Sequence, residues 1–154
     1  MAEALFYHLT VQPLERALPA LLERVVARGW RAVVRAPTPE RVAELDEALW
    51  TYREESFLPH AADGAPRPER QPVWITAKPE MPNDPQALFL VDGAEAASFA
   101  APERICVLFD GRDEAAVALA RTQWKRAAAE VAATYWKQGP KGWEKAHESA
   151  PEGG

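Results

Sequence analysis

The stretch Ala87-Leu88-Phe89-Leu90-Val91 decides the fold class, because it is an unbroken apolar run of strand length. A run of this kind is typical of a strand that helices cover on both faces of a parallel sheet. The stretch Ile105-Cys106-Val107-Leu108-Phe109 has the same character, and Asp110-Gly111 closes it with a turn. The two runs therefore predict interior strands of a sheet that lies between layers of helices.

The residues before these runs alternate between strand and helix patterns. Residues 5–9 form a short apolar run that predicts a first strand, and residues 30–35 predict a second. Between them, apolar residues recur at spacings of three and four, which predicts a helix with one buried face over residues 13–28. These apolar residues are Leu14, Leu18, Leu21, Leu22 and Val25. Gly29 follows as a natural C-terminal cap.

A second helix and a further strand continue the alternation. Thr38 is a suitable N-cap and Pro39 suits the first helical turn, so a helix is predicted from there to an aromatic exit near Trp50. Residues 73–76 predict another strand, which lies between loops rich in proline. A long alanine-rich helix is predicted over residues 113–136.

This order of elements predicts a three-layer α/β domain with a mainly parallel sheet. The chain has 154 residues, which is long enough for one domain with a full core. We expect the single domain to span residues 1–146, and residues 147–154 to form a disordered C-terminal tail.

The sequence lacks the patterns of cofactor and metal sites. The first strand–helix turn, Thr10-Val11-Gln12-Pro13, contains no glycine that would let a phosphate approach the backbone, so no nucleotide cofactor is expected. The segment Gln138-Gly139-Pro140-Lys141-Gly142 follows a predicted helix and ends the fold, which is the wrong context for a phosphate loop. The three histidines and the single Cys106 do not have metal-ligand spacing, so no metal site is expected.

The sequence composition favours a cytoplasmic location for the protein. The sequence has no run of about 18 apolar residues of the kind that spans a membrane. The first residues, Met1-Ala2-Glu3-Ala4, lack the basic cluster of a signal peptide. A single cysteine without an intrachain partner fits a reducing compartment.

Charge is distributed unevenly along the chain. The net charge is −5, which argues against direct binding to the nucleic-acid backbone. Residues 117–143 nevertheless carry five basic residues against Glu130 alone, a local balance of +4. The basic residues are Arg121, Lys125, Arg126, Lys137 and Lys141. A basic stretch on an acidic body suggests a small anionic partner rather than a long polyanion.

One side of the last predicted helix combines cations with apolar residues. Arg121, Trp124 and Lys125 are three and four residues apart, and Val117 lies one turn earlier on the same side. One interpretation is a solvated cationic stripe with Trp124 half in the core. The other is a receptor for a peptide that carries an acid and an aromatic residue, because arginine can hold a terminal carboxylate with two parallel hydrogen bonds.

The exit of the second helix is aromatic. In the stretch from Leu45 to His60, Trp50, Tyr52 and Phe57 lie within eight positions, and Pro59 then stops the helix. Three aromatic residues at a helix exit either seal an edge of the core or form a docking surface.

Asp110 and His8 are the candidates for a catalytic site. Asp110 follows a buried strand, where catalytic acids often lie in α/β enzymes, but an aspartate before Gly111 is also a common turn residue. His8 alternates with Phe6 in a strand and has the pattern of a satisfied, partly buried histidine. A small α/β hydrolase or transferase that uses these two residues is the alternative function hypothesis, although the sequence contains no complete catalytic constellation.

Three segments carry a family resemblance. Phe6-Tyr7, the block Leu45-Asp46-Glu47-Ala48-Leu49-Trp50 and the block Glu55-Ser56-Phe57-Leu58-Pro59-His60 resemble the chi subunit of bacterial DNA polymerase III, a clamp-loader accessory protein. The similarity also covers Leu119-Ala120-Arg121 to Lys125 and the order of strands and helices, so it extends over nearly the whole chain.

The resemblance implies a Rossmann-like fold without a nucleotide-binding glycine loop and a non-catalytic adaptor function. It implies that the acidic C-terminal tail of single-stranded DNA-binding protein, which ends in a phenylalanine carboxylate, binds to the last helix. Arg121 would hold the terminal carboxylate and Lys125 would meet the acidic residues of the tail. Val117 and Trp124 would wall the phenylalanine pocket. Some relatives carry a basic residue at the position of Val117.

The resemblance also implies a second partner, the psi subunit of the clamp loader. Psi would dock on the aromatic exit at Trp50, Phe57 and Pro59. A further hypothesis is that a repair helicase uses the same surface independently of psi, and competition between psi and the helicase would support it.

Overall fold

The computed structural model describes residues 2–51 and 58–150. The helices and strands in these ranges, numbered in chain order, are β1 (Glu3–Leu9), α1 (Leu14–Ala27), β2 (Ala32–Arg35), α2 (Pro39–Thr51), β3 (Ala61–Ala62), β4 (Val73–Thr76), β5 (Ala87–Val91), β6 (Arg104–Asp110), α3 (Glu114–Glu130), β7 (Ala132–Gly139) and β8 (Gly142–Ser149). A short 3-10 helix at Pro68–Arg70 precedes β4.

The strands form one eight-stranded sheet in the order β3-β4-β2-β5-β6-β1-β7-β8. Neighbouring strands are parallel except for β7 and β8, which form an antiparallel hairpin at one edge. Helices α1 and α2 cover one face of the sheet, and α3 covers the other. The predicted three-layer α/β fold with a mainly parallel sheet is therefore confirmed.

The two faces of β1 show how the sequence divides the core. Phe6 is fully buried on the α3 face, whereas Tyr7 lies on the α1 face. All five residues of β5 are buried, as expected for an interior strand. Burial of each large apolar side chain stabilises the fold by about 1.5–3 kcal/mol relative to exposure.

Local signals set the ends of the helices. The Gly29 N–H donates to the Val26 carbonyl (2.9 Å) and the Trp30 N–H donates to the Val25 carbonyl (3.1 Å), the two bonds of a Schellman cap at the end of α1. Gly29 adopts a φ of +81°, which favours glycine. Asp113 caps the start of α3, because its carboxylate accepts from the backbone N–H groups of Ala115 and Ala116.

The end of α3 differs from the sequence prediction. The helix stops at Glu130 rather than near Trp136, and the chain continues as β7, which pairs with β1 along residues 132–137. Val131, Thr134, Tyr135 and Trp136 are β-branched or aromatic residues that favour a strand, and the unpaired edge of β1 supplies backbone partners for residues 132–137. The alanines before them led to a predicted helix that is too long.

The C-terminal residues also differ from the prediction. The segment around Gly139 and Gly142 does not end the fold but turns the chain between β7 and β8. Strand β8 continues through His147 to Ser149, residues that we expected in a disordered tail, while residues 151–154 lie outside the described part of the chain. In residues 2–51 and 58–150, no helix is long and apolar enough to cross a membrane.

Candidate functional site

A cavity of about 480 Å³ opens between α3 and the β7–β8 hairpin, and we call it the α3–hairpin pocket. Its lining comes from four elements: α3, β1, β7 and β8. The lining residues are Val117, Arg121, Trp124, Lys125, His8, Tyr135, Lys137, Ala146 and His147. The four residues that the sequence predicted on one side of the last helix therefore lie around one pocket.

Trp124 serves both as core residue and as pocket wall. Its ring meets Phe6 edge-on at a centroid distance of 5.3 Å and Tyr135 at 5.9 Å, and it remains partly exposed. Val117 is also partly buried. The packing against Phe6 holds the indole in place. One side of the ring therefore belongs to the core, and the other side is a wall of the pocket.

Three cations surround the pocket. Arg121, Lys125 and Lys137 are exposed, and within the described residues none of them takes part in a salt bridge. In the part of the chain that the structure describes, no carboxylate lines the cavity. The pocket therefore presents positive charge that an anionic ligand can neutralise, beside an apolar wall that can receive a ring.

The floor of the pocket is a histidine–tyrosine pair. His8 Nδ1 and the Tyr135 hydroxyl are hydrogen-bonded at 2.6 Å, and the His8 ring stands edge-on to Phe109 at 5.2 Å. Desolvation and the charge of Lys137 lower the pKa of His8, while Asp110 opposes the shift. Burial raises the pKa of Tyr135 against the opposing charge of Arg121. Both rings are therefore neutral at physiological pH.

Gly111 has a steric role that its position in a turn did not reveal. A Cβ atom built at this residue would lie 2.1 Å from His8 Nε2. The absence of a side chain at Gly111 thus makes room for the imidazole and allows its hydrogen bond with Tyr135.

Sequence reasoning missed the part of the pocket that the hairpin contributes. Tyr135 and Lys137 lie on β7 next to β1, and the pairing of Tyr135 with His147 brings β8 to the same wall. The rings of Tyr135 and His147 meet edge-on at 6.4 Å. Residues 132–136 were predicted to be helical, so the sequence offered no sign that Lys137 lies on a strand of the pocket. The only signal for Lys137 was the excess of basic residues over positions 117–143.

The second predicted site lies at the end of α2. Trp50 is 50% exposed, and its ring centroid lies 4.2 Å from that of His60. His60 is buried, with Nδ1 at 2.7 Å from the Leu58 carbonyl and Nε2 at 3.1 Å from the Asp46 carbonyl. Pro59 is partly buried beside it, whereas Tyr52 and Phe57 lie outside the described residues. Trp50 thus packs against the hydrogen-bonded His60 and exposes about half of its surface to solvent.

Asp110 and His8, the two candidate catalytic residues, form hydrogen bonds with nearby residues. The Asp110 carboxylate accepts from the Arg112 N–H at 2.9 Å, which makes it the turn residue of the loop before α3. His8 is bonded to Tyr135, and no hydrogen bond between described residues joins His8 to Asp110. Among residues 2–51 and 58–150, no cluster of three or more histidine, cysteine or acidic residues has the arrangement of a metal site.

An ionic cluster lines the crevice at the carboxyl ends of β1 and β6. The chain leaves β1 toward α1 on one face and leaves β6 toward α3 on the other, so the strand order reverses between these two neighbours. Open α/β sheets bind nucleotides at such a point. Here the guanidinium of Arg41 bonds to both Glu15 and Asp92 within the crevice.

Two comparisons with known proteins bear on this site. The sequence model of the family described as DNA polymerase III chi subunit, HolC, matches residues 1–134. A protein of Rickettsia prowazekii (strain Madrid E) described as "Probable DNA polymerase III subunit chi" is 26% identical over 97 residues. That similarity covers 63% of this chain and 59% of the relative, so the chain spans less than two thirds of the relative's length. The family match includes all of α3 and stops before Tyr135.

Proposed function

The chain belongs to the DNA polymerase III chi subunit family, and on that premise we propose that it is a non-catalytic replication adaptor. Its α3–hairpin pocket would receive the acidic C-terminal tail of single-stranded DNA-binding protein. One observation supports the proposal above all: a single cavity combines an apolar wall with three cations that form no salt bridge with any described residue.

The chemistry of the pocket matches a peptide that ends in an aromatic residue with a free carboxylate. Arg121 would hold the terminal carboxylate through two parallel hydrogen bonds, and Lys125 would meet the preceding acidic residues. Val117 and Trp124 would enclose the phenylalanine ring, whose burial contributes about 1.5–3 kcal/mol. Charge pairing adds to this, which supports micromolar binding, or about −8 kcal/mol.

Lys137 extends the cationic rim on the hairpin side. Some members of the family carry a basic residue where this chain has Val117, and we propose that Lys137 supplies the third positive charge instead. His8 and Lys137 are register partners on adjacent parallel strands, so Lys137 lies across the floor from α3. A bound tail would then have cations on both sides.

A second surface would link the adaptor to the clamp loader through the psi subunit. We propose that psi docks on Trp50, Pro59 and the adjoining Phe57. Helix α2 packs near β3 and β4, at the opposite edge of the sheet from β7. Six strand intervals of about 4.8 Å separate β3 from β7, or roughly 29 Å. Two partners could therefore bind at the same time.

Calorimetric titration tests the tail-receptor proposal. The ligand is a short acidic peptide that ends in phenylalanine, and the same peptide with an amidated C-terminus is the comparison. We expect micromolar binding that collapses on amidation and in Arg121→Ala. Arg16→Ala, an exposed arginine change on α1, is the matched control and should bind normally.

Two results would contradict this proposal. Unchanged affinity in Arg121→Ala would place the site elsewhere. If neither peptide released heat at concentrations well above micromolar, the chain would not be a tail receptor, and the Trp50 surface would remain as the candidate interaction site.

A further inference from the structure

A second cavity lies on the other face of the sheet, beneath the C-terminal half of α1, and we call it the arginine-lined cavity. Its volume is about 350 Å³, at the small end of the range for ligand pockets. Its inner walls are mainly apolar and include Leu21, Val25 and Phe89. The size and the walls suit a small molecule with an apolar body rather than a macromolecule.

Three arginines line this cavity: Arg24, Arg28 and Arg104. Arg104 pairs with Glu3 at 3.1 Å, whereas Arg24 and Arg28 form no salt bridge within the described parts of the chain. None of the acidic residues in the described ranges lines the cavity. Because the carboxyl end of α1 carries a partial negative charge, the arginines and not the helix must supply the attraction for an anion.

Trp30 keeps two of the arginines in position. The guanidinium carbon of Arg28 lies 3.9 Å from the centroid of the Trp30 ring, and that of Arg104 lies 5.1 Å from it. Cation–π contact orients a guanidinium without neutralising it. The planar donors of Arg28 therefore remain available for hydrogen bonds to a ligand.

The hydroxyl group of Tyr7 indicates that the cavity binds a ligand. Tyr7 lines the cavity and is only 9% exposed, yet none of the described residues forms a hydrogen bond with its hydroxyl. Among the described residues, the buried side-chain atoms that lack a hydrogen-bond partner are Arg35 Nε and Asn83 Oδ1. The Tyr7 hydroxyl is not one of them, so it is accessible from the cavity. A phenylalanine would pack in the same way, so the hydroxyl is the part of Tyr7 that can donate a hydrogen bond to a molecule in the cavity.

The Tyr7 hydroxyl is protonated at neutral pH. Burial is the main cause that raises its pKa, Cys106 and Glu3 add to the rise, and the charges of Arg104 and Arg24 act against it. The phenol is therefore a hydrogen-bond donor in the cavity that it lines.

We propose that the arginine-lined cavity is a binding site for a small amphiphilic anion. The apolar body of the ligand would lie between α1 and the sheet, and its carboxylate or phosphate head would bind Arg24, Arg28 and Arg104. The Tyr7 hydroxyl would donate a hydrogen bond to the same head. This site does not depend on the adaptor function, because it lies on the face opposite to the α3–hairpin pocket.

NMR titration of the full chain tests the proposal with three probes: 3-phenylpropionate, phenyl phosphate and the uncharged 3-phenylpropanol. We expect saturable shifts of backbone amides in residues 24–28 and 104–106 with at least one anionic probe. The two anions separate a carboxylate site from a phosphate site. The alcohol should bind at least about tenfold more weakly, because it cannot use the guanidinium groups. Absence of saturable shifts with both anions would overturn the proposal.

Variants locate the binding groups. Tyr7→Phe should weaken binding of the anion about tenfold, because it removes a hydrogen bond to a charged group, and should leave the melting temperature equal or higher. Combined Arg24→Gln and Arg28→Gln should weaken it further, whereas Arg16→Gln, on the same helix but outside the cavity, should not. Wild-type affinity in Tyr7→Phe, or a clear fall in its melting temperature, would overturn the role of the hydroxyl.

The proposals for the α3–hairpin pocket and for the arginine-lined cavity can be tested separately. Arg121→Ala should leave the probe-induced shifts unchanged, and Tyr7→Phe should leave binding of the tail peptide unchanged. If Arg121→Ala abolished the shifts, the probes would be binding in the α3–hairpin pocket and the second site would not exist.

Discussion

At the scale of single residues, Arg121 carries the largest share of the proposed tail recognition. A guanidinium offers two parallel donors to a carboxylate, whereas an ammonium acts as a point charge. We predict that Arg121→Lys, which keeps the charge, lowers the affinity for the tail peptide about tenfold, as measured by calorimetry. Lys125→Arg should change it little, because Lys125 is proposed to meet acidic side chains by charge alone. Equal losses in the two variants would contradict the bidentate role of Arg121.

His8 depends on the missing side chain of Gly111. A Cβ atom there would lie 2.1 Å from His8 Nε2, so the imidazole would have to leave its hydrogen bond with Tyr135. We predict that Gly111→Ala destabilises the fold by about 1–3 kcal/mol in denaturant unfolding. The cost should fall sharply when the same change is made in a His8→Ala background. An equal cost in both backgrounds would show that the clash with His8 is not its cause.

The charge state of His8 depends on Lys137. The pKa of His8 is lowered by desolvation and by the Lys137 ammonium, so the folded state favours the neutral ring. The stability that this preference contributes is present above the unfolded pKa of about 6.5 and is lost as pH falls below it. We predict that Lys137→Gln raises the pKa of His8, as followed by NMR of the imidazole protons. Lys141→Gln, in the hairpin turn, should not raise it, and equal pKa values in all three proteins would contradict the coupling.

At the scale of elements, the β7–β8 hairpin completes a pocket that α3 only begins. The match to the family ends at residue 134, and Tyr135, Lys137 and His147 lie beyond it. Helix α3 presents its cations and Trp124 on one side, and the hairpin closes the other. The pocket therefore combines a part that matches the family with a part outside the match.

Replacement of Lys137 measures what the hairpin adds to tail binding. An exposed charge pair contributes about 0.2–1 kcal/mol, so we predict that Lys137→Ala weakens binding of the tail peptide about two- to fivefold. The difference from wild type should shrink as salt is raised, because the rim is open to solvent. Lys141→Ala serves as the control on the same hairpin. A salt-independent loss would indicate that the substitution changed packing rather than charge.

At the scale of the whole molecule, the two proposed partner surfaces lie toward opposite edges of one sheet. The α3–hairpin pocket adjoins β7, and Trp50 lies on the helix that packs near β3 and β4. Sites this far apart that share no side chains are expected to act independently. The separation suits an adaptor, since a partner at one edge leaves the other edge open.

Independence of the two surfaces is testable with reciprocal variants. We predict that Trp50→Ala lowers the affinity for a psi subunit at least about 30-fold, as expected for a tryptophan anchor, and leaves tail-peptide binding within twofold of wild type. Arg121→Ala should do the reverse. Isothermal titration of the tail peptide with and without psi gives the coupling directly. A tail affinity that fell on addition of psi would mean that the surfaces overlap or communicate.

Much of the architecture follows from local sequence patterns. The apolar run at Ala87–Val91 determined a strand buried on both faces, and the spacing of apolar residues with Gly29 determined where α1 lies and ends. The three- and four-residue spacing of Arg121, Trp124 and Lys125 determined that they share one side of α3. These features depend on periodicity within a single element, which the sequence records directly.

What the tertiary structure decided is which elements become neighbours. The alanine-rich run ends at Ala133, and the chain from residue 132 becomes a strand because the free edge of β1 offers a continuous set of backbone partners. That pairing brings Lys137 and His147 to the pocket, and packing of α1 across the sheet places Tyr7 in the wall of a cavity that arginines also line. Side-chain periodicity sets the face on which a residue lies, but its neighbours across the sheet depend on strand order, which only the assembled fold determines.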